Sequence, residues 1–206
     1  MVSSLDGLVP LSKSSFQKCV DVMTRAFWDD PLNAHFFPDE TQRQRFLPLF
    51  FEYRLKQGRQ YGEVFTTSEE VEGIAIWIPS KTIDSNLWRE FRSGGFKLLR
   101  NFGRSLINRM TKVGEFSSTR RKKYAITPYL HLGSFAVDPE MHGQGFASKL
   151  IRPMLAHLDE NKMHSYLEAQ SESNVSLYEH YGFEVLAEGV VPNTDIPHWD
   201  MMRPPQ

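Results

Sequence analysis

The sequence predicts one mixed α/β domain with more strands than a simple parallel sheet requires. Two observations carry that expectation. Strand-like runs bounded by turn residues alternate with apolar residues at helical spacing. The 206 residues are 40% apolar and 24% charged, which suits one sizeable core and argues against a disordered chain.

The elements follow in order. Ser14 and Gln17 are spaced as a capping box, and Phe16, Val20, Met23 and Phe27 recur at helical spacing behind them. That helix is expected to stop near Asp29-Asp30-Pro31, since the residue before a proline avoids helical geometry. A second helix is predicted from Thr41 to Gln57, with Gly58 as its stop. Tyr61 to Thr67 and Val71 to Ile78 read as a hairpin across Ser68-Glu69-Glu70. Ile74, Ile76 and Ile78 alternate with Ala75 and Trp77, so the second strand is apolar on both faces and belongs inside a covered sheet.

Residues 84–126 read as a basic helical insertion between two strands. Phe96, Leu99, Phe102, Leu106 and Met110 hold helical spacing, and Lys97 to Ala125 contains nine basic residues and one acidic residue. The segment is +8 while the rest of the chain is -9. It reads as a solvated lid over an acceptor pocket. A surface-binding role is the other reading, since basic amphipathic helices can attach to membrane surfaces. Tyr129 to Val137 is the next strand, followed by a helix from Gly145 to Glu160 containing Pro153. Strand 165–170, helix 174–181, strand 183–189 and strand 198–203 complete the chain.

The net charge of -1 excludes a general polyanion binder, and the aromatic interleaving of a base-stacking surface is missing from the Arg120–Lys123 run, so no nucleic acid is expected. The single cysteine, Cys19, excludes an internal disulfide and reads as a buried inert thiol. His157, His164 and His198 lack metal-ligand spacing, so no metal is expected. No signal segment and no membrane span are read, and a cytoplasmic setting is expected.

The stretch that carries chemistry is Val137-Asp138-Pro139-Glu140-Met141-His142-Gly143-Gln144-Gly145-Phe146-Ala147. A strand ends, the chain turns through two glycines, and an amphipathic helix begins. The unpaired N–H groups and positive dipole end of such a helix suit a pyrophosphate. The run is neither a P-loop nor a dinucleotide fingerprint, since Ser148 stands where the latter needs its third glycine. Further on, Asn174, Tyr178, Gly182 and Phe183 fall in an Asn-x-x-x-Tyr-x-x-x-Gly-Phe pattern. Together the two motifs resemble the GNAT superfamily of acyl-coenzyme A N-acetyltransferases, with His142 where Gln or Arg is usual. Within it, Ala26-Phe27 with Asp30-Pro31, and Tyr166-Leu167-Glu168 before Asn174 and Tyr178, resemble the puromycin N-acetyltransferase type.

That resemblance implies a mostly antiparallel sheet of about seven strands, splayed at the cofactor site, with helices on both faces. It implies acetyl-CoA as the acyl donor, held by Phe135, Ala136 and Val137 and by His142, Gly143, Gln144, Gly145, Phe146, Ala147 and Ser148, with Asn174 near the pantetheine arm. Val137 N–H is placed to support an oxyanion. Tyr178 is the implied general acid for the leaving thiolate. Glu168 and His131 are the candidate bases, with Glu168 taken first. Lys149 and Arg152 suit the 3′-phosphate. The acceptor, a small-molecule primary amine, is expected against Phe27, Trp28, Asp30, Phe36 and Phe37. An inactive CoA-binding module and a protein or peptide N-acetyltransferase are the alternatives. A homodimer is common in the family, and the oligomeric state stays open.

Overall fold

The computed structural model describes residue 5, residues 7–84 and residues 92–206. Residues 1–4 and 6, read for a signal segment, and residues 85–91 of the insertion lie outside the described residues. The strands are β1 (Val9–Pro10), β2 (Glu63–Thr66), β3 (Gly73–Pro79), β4 (Tyr129–Val137), β5 (His164–Ala169), β6 (Glu184–Val190) and β7 (Pro197–Arg203). They form one sheet in the order β1-β2-β3-β4-β5-β7-β6, antiparallel throughout except for the parallel pair β4 and β5.

β3 is the centre of the core. As its two-faced apolar pattern predicts, Ile74, Ile76 and Ile78 pack into one cluster while Ala75 and Trp77 pack into another. The first cluster lies under α1 (Phe16–Ala26), α3 (Glu40–Tyr61) and α5 (Gly95–Tyr124). The second lies under α6 (Phe146–Glu160) and α7 (Glu172–His180). Two further short helices are α2 (Pro31–Phe36) and α4 (Ser80–Ile83). Of the predicted insertion at 84–126, the structure describes α5 between β3 and β4, and α5 is broken at Gly103 (φ 73, ψ 166).

Several local expectations are corrected. Ser14 and Gln17 do not form a capping box: the cap of α1 is Ser15, without a side-chain cap bond, and Gln17 Nε2 donates to Asp21. The Ser12 and Ser15 hydroxyls instead accept each other's backbone N–H at 3.1 and 3.0 Å. Pro31 does more than stop a helix. It opens α2, with Asp30 Oδ1 accepting Asn33 N–H at 3.0 Å. Asn174 does not start α7, because Ser171 caps it and accepts Asn174 N–H at 3.3 Å.

Gly58 does not end α3, which runs from its Asp39 cap on to Tyr61. Gly58 is there for packing: a Cβ would stand 2.6 Å from Ile76 Cγ2 and 2.8 Å from Val64 Cγ2. At Gly62, the actual stop, a Cβ would stand 2.0 Å from the Trp77 carbonyl oxygen. A methyl can push side chains aside but cannot be accommodated against ladder backbone without moving a strand. Gly62→Ala is therefore expected to cost about 3 kcal/mol, the upper end for overpacking, and to lower the urea midpoint more than Gly58→Ala does. Equal midpoints for the two variants would refute the assignment.

Candidate active site

β4 and β5 share only three residue pairs, Tyr129↔His164, Leu130↔Ser165 and His131↔Tyr166. Beyond them β4 continues to Val137 against β3 alone, while β5 continues to Ala169 against β7 alone. The fork opens at a β-bulge. Ile76 opposes Ser134 and Trp77 opposes Leu132, which leaves Gly133 as the extra residue. A bulge bends and twists the strand that carries it, and glycine marks such positions. Arg54 Nη2 donates to Gly133 O at 2.8 Å and so ties the bulge to α3.

The register decides which backbone groups face the fork. Gly73 spends its C=O on Thr67 N–H and its N–H on Thr67 Oγ1, both on the β2 side. Its opposite residue, Val137, is therefore a non-hydrogen-bonded position toward β3 and turns its N–H and C=O to the fork. Phe135, two residues earlier, does the same, whereas Ala136 is spent on the β3 ladder. The backbone role expected of all three residues thus narrows to Phe135 and Val137. His142 Nε2 lies 3.1 Å from Val137 O, which occupies that carbonyl and leaves the N–H.

The glycine turn follows. Gly143 (φ +77) and Gly145 (φ +83) are both left-handed, and a Cβ at either would meet nothing within 4 Å. Glycine is needed for the backbone conformation, and a side chain would project into the open cleft. α6 begins at Phe146 from Gly145 without a side-chain cap, so its first N–H groups stay unpaired beside that turn. His142, Gly143, Gly145, Phe146, Ala147 and Ser148 line a cleft of about 2080 Å³ together with Phe135, Ala136, Val137, Asn174 and Tyr178. Gln144 does not line it, and its side chain turns back to Glu140 O. Lys149 and Arg152 on the same helix lie over the Phe146 and Tyr181 rings. An unpaired strand edge, an uncapped helix start and a side-chain-free turn on one cleft fit an extended diphosphate ester such as coenzyme A.

Tyr178 is buried, edge-on to Phe183 and 6.2 Å from the Phe135 ring. Its hydroxyl has no hydrogen-bond partner among the described residues, and burial pushes the phenol up. It is thus a protonated donor on the cleft wall. Tyr181, by contrast, bonds Ser148 Oγ at 2.9 Å and is structural.

Both candidate bases sit at the apex of the fork, in a smaller chamber of about 220 Å³ lined also by Arg54, Arg121 and Gly133. Glu168 accepts from Arg121 Nη1 at 2.7 Å, so it is ion-paired. Its other oxygen lies 3.8 Å from His131 Nε2. Burial first, then Arg121 and Arg54, hold His131 well below its ordinary pKa and therefore neutral. Phe27, Asp30 and Phe36 line the cleft on the acceptor side. Burial raises the Asp30 carboxyl despite backbone bonds from Asn33 and Leu32. Trp28 and Phe37 do not line the cleft: Trp28 lies under Arg43, and Phe37 is fully buried against Phe46 and Phe102.

Comparison with known proteins bears on this geometry. Residues 112–203 match the family described as an acetyltransferase (GNAT) domain. A curated N-acetyltransferase of Schizosaccharomyces pombe, itself described as uncharacterized, is 26% identical over 93% of this chain and 80% of its own length. A structure titled histone acetyltransferase HPA2 and related acetyltransferase from Corynebacterium glutamicum is 25% identical, with a TM-score of 0.67 over 97% of this chain and 96% of that one. The fold is that of the GNAT acetyltransferases. Arylalkylamine N-acetyltransferase 2 from Aedes aegypti shares the GNAT fold at 12% identity, with a TM-score of 0.62 over 97% of this chain and 98% of that one. Family match, curated relative and fold together support an acetyltransferase of GNAT type.

The sequence reading missed Arg121, Arg54 and Gly133 at the GNAT fork. Arg121 was visible only as one charge in a basic run, and nothing in its spacing says that it reaches β5. The reading also kept His198 apart from any cluster, whereas Glu168, His198 and Asp200 bring donor atoms within 4.8 Å of one another. Arg120 already pairs with Asp200 at 2.6 Å and Arg121 with Glu168, so two guanidiniums supply the positive charge there.

Asp138, which leads into the glycine turn, is paired with Arg25 and accepts Glu140 N–H. The Arg25 hydrogen bond holds its carboxyl below the ordinary 3.8. The stability it supplies is complete above about pH 4 and is lost as pH falls through the lowered folded value. Asp138→Asn should therefore lower the melting temperature at pH 7 and lower it less at pH 3. A difference independent of pH would show that the pair is not what anchors the turn.

Proposed function

We propose that this protein is an N-acetyltransferase that moves the acetyl group of acetyl-CoA to the primary amine of a small molecule, by direct attack in a ternary complex within a single domain. The observation that carries the proposal is the shared cleft. The outward backbone of Phe135, the Val137 N–H, the Gly143–Ser148 turn and the partnerless Tyr178 hydroxyl all open on it. When bound, acetyl-CoA supplies an acyl carbon activated as a thioester.

The chain's own groups then divide the work. Phe135 and Val137 pair with the pantetheine amides as an added strand would, with Asn174 at the same wall, and Gly143, Gly145, Phe146, Ala147 and Ser148 present N–H groups to the diphosphate. Val137 N–H stands ready for negative charge developing on the carbonyl oxygen. Tyr178 gives its proton to the departing sulfur. Phe27 and Phe36 offer an apolar wall to the acceptor, and Asp30 offers a desolvated carboxylate to a cationic group. The finer likeness to the puromycin N-acetyltransferase type rests on the Ala26–Pro31 and Tyr166–Glu168 stretches. Residues of α2, α3 and α5 line the acceptor side of the cleft.

Coenzyme A and acetyl-CoA should each raise the melting temperature, and thiol should be released in the presence of an amine panel. Tyr178→Phe is expected to lower kcat by roughly 100-fold, the low end for loss of a general acid, while the affinity for acetyl-CoA stays within about twofold. No stabilisation by either ligand and no thiol release across the panel would refute the proposal. Unchanged kcat in Tyr178→Phe would remove the acid assignment alone.

A further inference from the structure

We propose that the acceptor is a primary amine with a long apolar tail, and that Phe96 and Leu99 of α5 hold the tail. The proposal rests on the acetyl-transfer reading above and deepens it by naming the class of acceptor.

α5 is apolar on more than one side. The sequence reads Phe96, Leu99, Phe102, Leu106 and Met110 as one apolar stripe. The structure divides that stripe. Phe102 and Leu106 are buried in the first core cluster together with Leu98. Phe96 is 65% exposed and Leu99 44% exposed, and both line the large cleft. A helix that is apolar on two sides normally has a packed layer against each. Large apolar side chains left open in a cleft mark the place of an apolar ligand, whose binding would take them out of water.

The break at Gly103 explains how these side chains come to the cleft. Glycine is suited to its left-handed backbone (φ 73, ψ 166), and the helix changes direction there. Before the break, Ser93 Oγ donates to Gln60 Oε1 at 3.2 Å and Lys97 Nζ donates to Glu52 Oε2 at 2.7 Å. After it, Gly114 and Ser117 share the small chamber at the fork with Gln57 and Tyr61. Both arms of α5 thus return to the same stretch of α3, and both line the cleft.

Two of the cleft walls carry the same gradient. On α3, Phe50 and Tyr53 precede Arg54 and Gln57. On the second arm of α5, Met110 and Val113, with Thr111 between them, precede Ser117 and Arg121. The polar end of each wall is tied to the fork: Arg54 donates to Gly133 O at 2.8 Å, and Arg121 donates to Glu168 at 2.7 Å. From Gln57 back to Phe50 a helix covers about 10 Å. A ligand lying along these walls has to be polar where β4 and β5 part and apolar beyond. An alkyl primary amine has that form, with its nitrogen at the fork and its tail against Phe50, Phe96 and Leu99. A short amine would leave the apolar walls in water, and a peptide would bring backbone amides that such walls do not pair. In the reaction the amine nitrogen bonds to the acetyl carbon as the carbon–sulfur bond breaks. An alkylammonium and acetyl-CoA so give an N-alkylacetamide, the coenzyme A thiol and one proton released to solvent.

The test measures kcat/KM for ethylamine, butylamine and octylamine in wild type and in the double variant Phe96→Ser with Leu99→Ser. Melting temperature and acetyl-CoA affinity are the controls of folding and donor binding. Wild type is expected to gain about fourfold for each methylene added between butylamine and octylamine, the worth of one buried methylene. The double variant should lose roughly tenfold more on octylamine than on ethylamine. Equal kcat/KM for the three amines in wild type, or an unchanged preference in the double variant, would overturn the proposal and leave acetyl transfer in place. Binding of wild type to phosphatidylserine vesicles that disappears in the double variant, with the amine preference unchanged, would make the pair a membrane contact and overturn the proposal. If wild type binds acetyl-CoA yet acetylates none of the three amines, the acetyl-transfer reading fails. Calorimetry with octylamine on the coenzyme A complex then decides the tail site by itself. Binding that the double variant weakens supports it, and no binding, or binding that the variant does not weaken, overturns it. Should the double variant not fold, Phe96→Ser alone carries the same comparison.

Discussion

β4 and β5 pair over three residues and then separate, and the functional geometry depends on that separation. A strand inside a sheet normally spends its backbone on both neighbours, because a buried N–H or C=O without a partner is costly. Here the bulge at Gly133 turns β4 away from β5 immediately after His131, so the outer backbone of Phe135 and the Val137 N–H are left without a strand partner. Arg54 pins the bulge from α3, and the Arg25–Asp138 pair pins the end of β4 from α1. The first core cluster therefore holds open a gap that lies between the sheet halves, and the second cluster, under α6 and α7, supplies the glycine turn and Tyr178 on its other side.

The basic segment is a wall of the cleft more than a solvated lid. Leu98, Phe102 and Leu106 bury one face of α5 in the first core cluster. Among the described residues, four of the nine basic side chains from Lys97 to Ala125 are paired with carboxylates: Lys97 with Glu52, Arg120 with Asp200, Arg121 with Glu168 and Lys122 with Asp84. The Arg120–Asp200 pair is deeply buried, and Asp200 also accepts from Tyr166, so removing either partner would strand a charge away from water. A fixed C-terminal end of α5 is what allows Arg121 to hold a carboxylate on a strand far away in sequence.

Local signals were legible where they are local. The two-faced apolar run at Ile74–Ile78, the turn with Gly143 and Gly145, and the helix carrying Tyr178 could be read because each rests on neighbours within a few residues. The motifs also gave the splayed sheet, through the resemblance they carry. Misreadings came where tertiary contact overrides local preference. Gly58 reads as a stop by propensity but is a packing contact with Ile76, and the real stop at Gly62 is set by the Trp77 carbonyl. Trp28 and Phe37 read as acceptor-facing aromatics, yet one stacks under Arg43 and the other fills the core. The Arg121–Glu168 pair joins residues 47 positions apart, and no pattern in a single sequence connects them.

Burial also sets the protonation states that the chemistry needs. Removing a titratable group from water disfavours its charged form, which moves acids up and bases down. Tyr178 is pushed up and stays protonated. His131 is pushed down and stays neutral. One environment thus leaves a neutral phenol and a neutral imidazole at neutral pH. Cys19, pushed up to about 12 by the same effect, is kept as an inert thiol. What distinguishes His131 and Tyr178 from Cys19 is access, because they line the fork and its cleft while Cys19 is sealed in the core. Desolvation alone makes groups inert. Desolvation beside an opened strand pair leaves them facing open space.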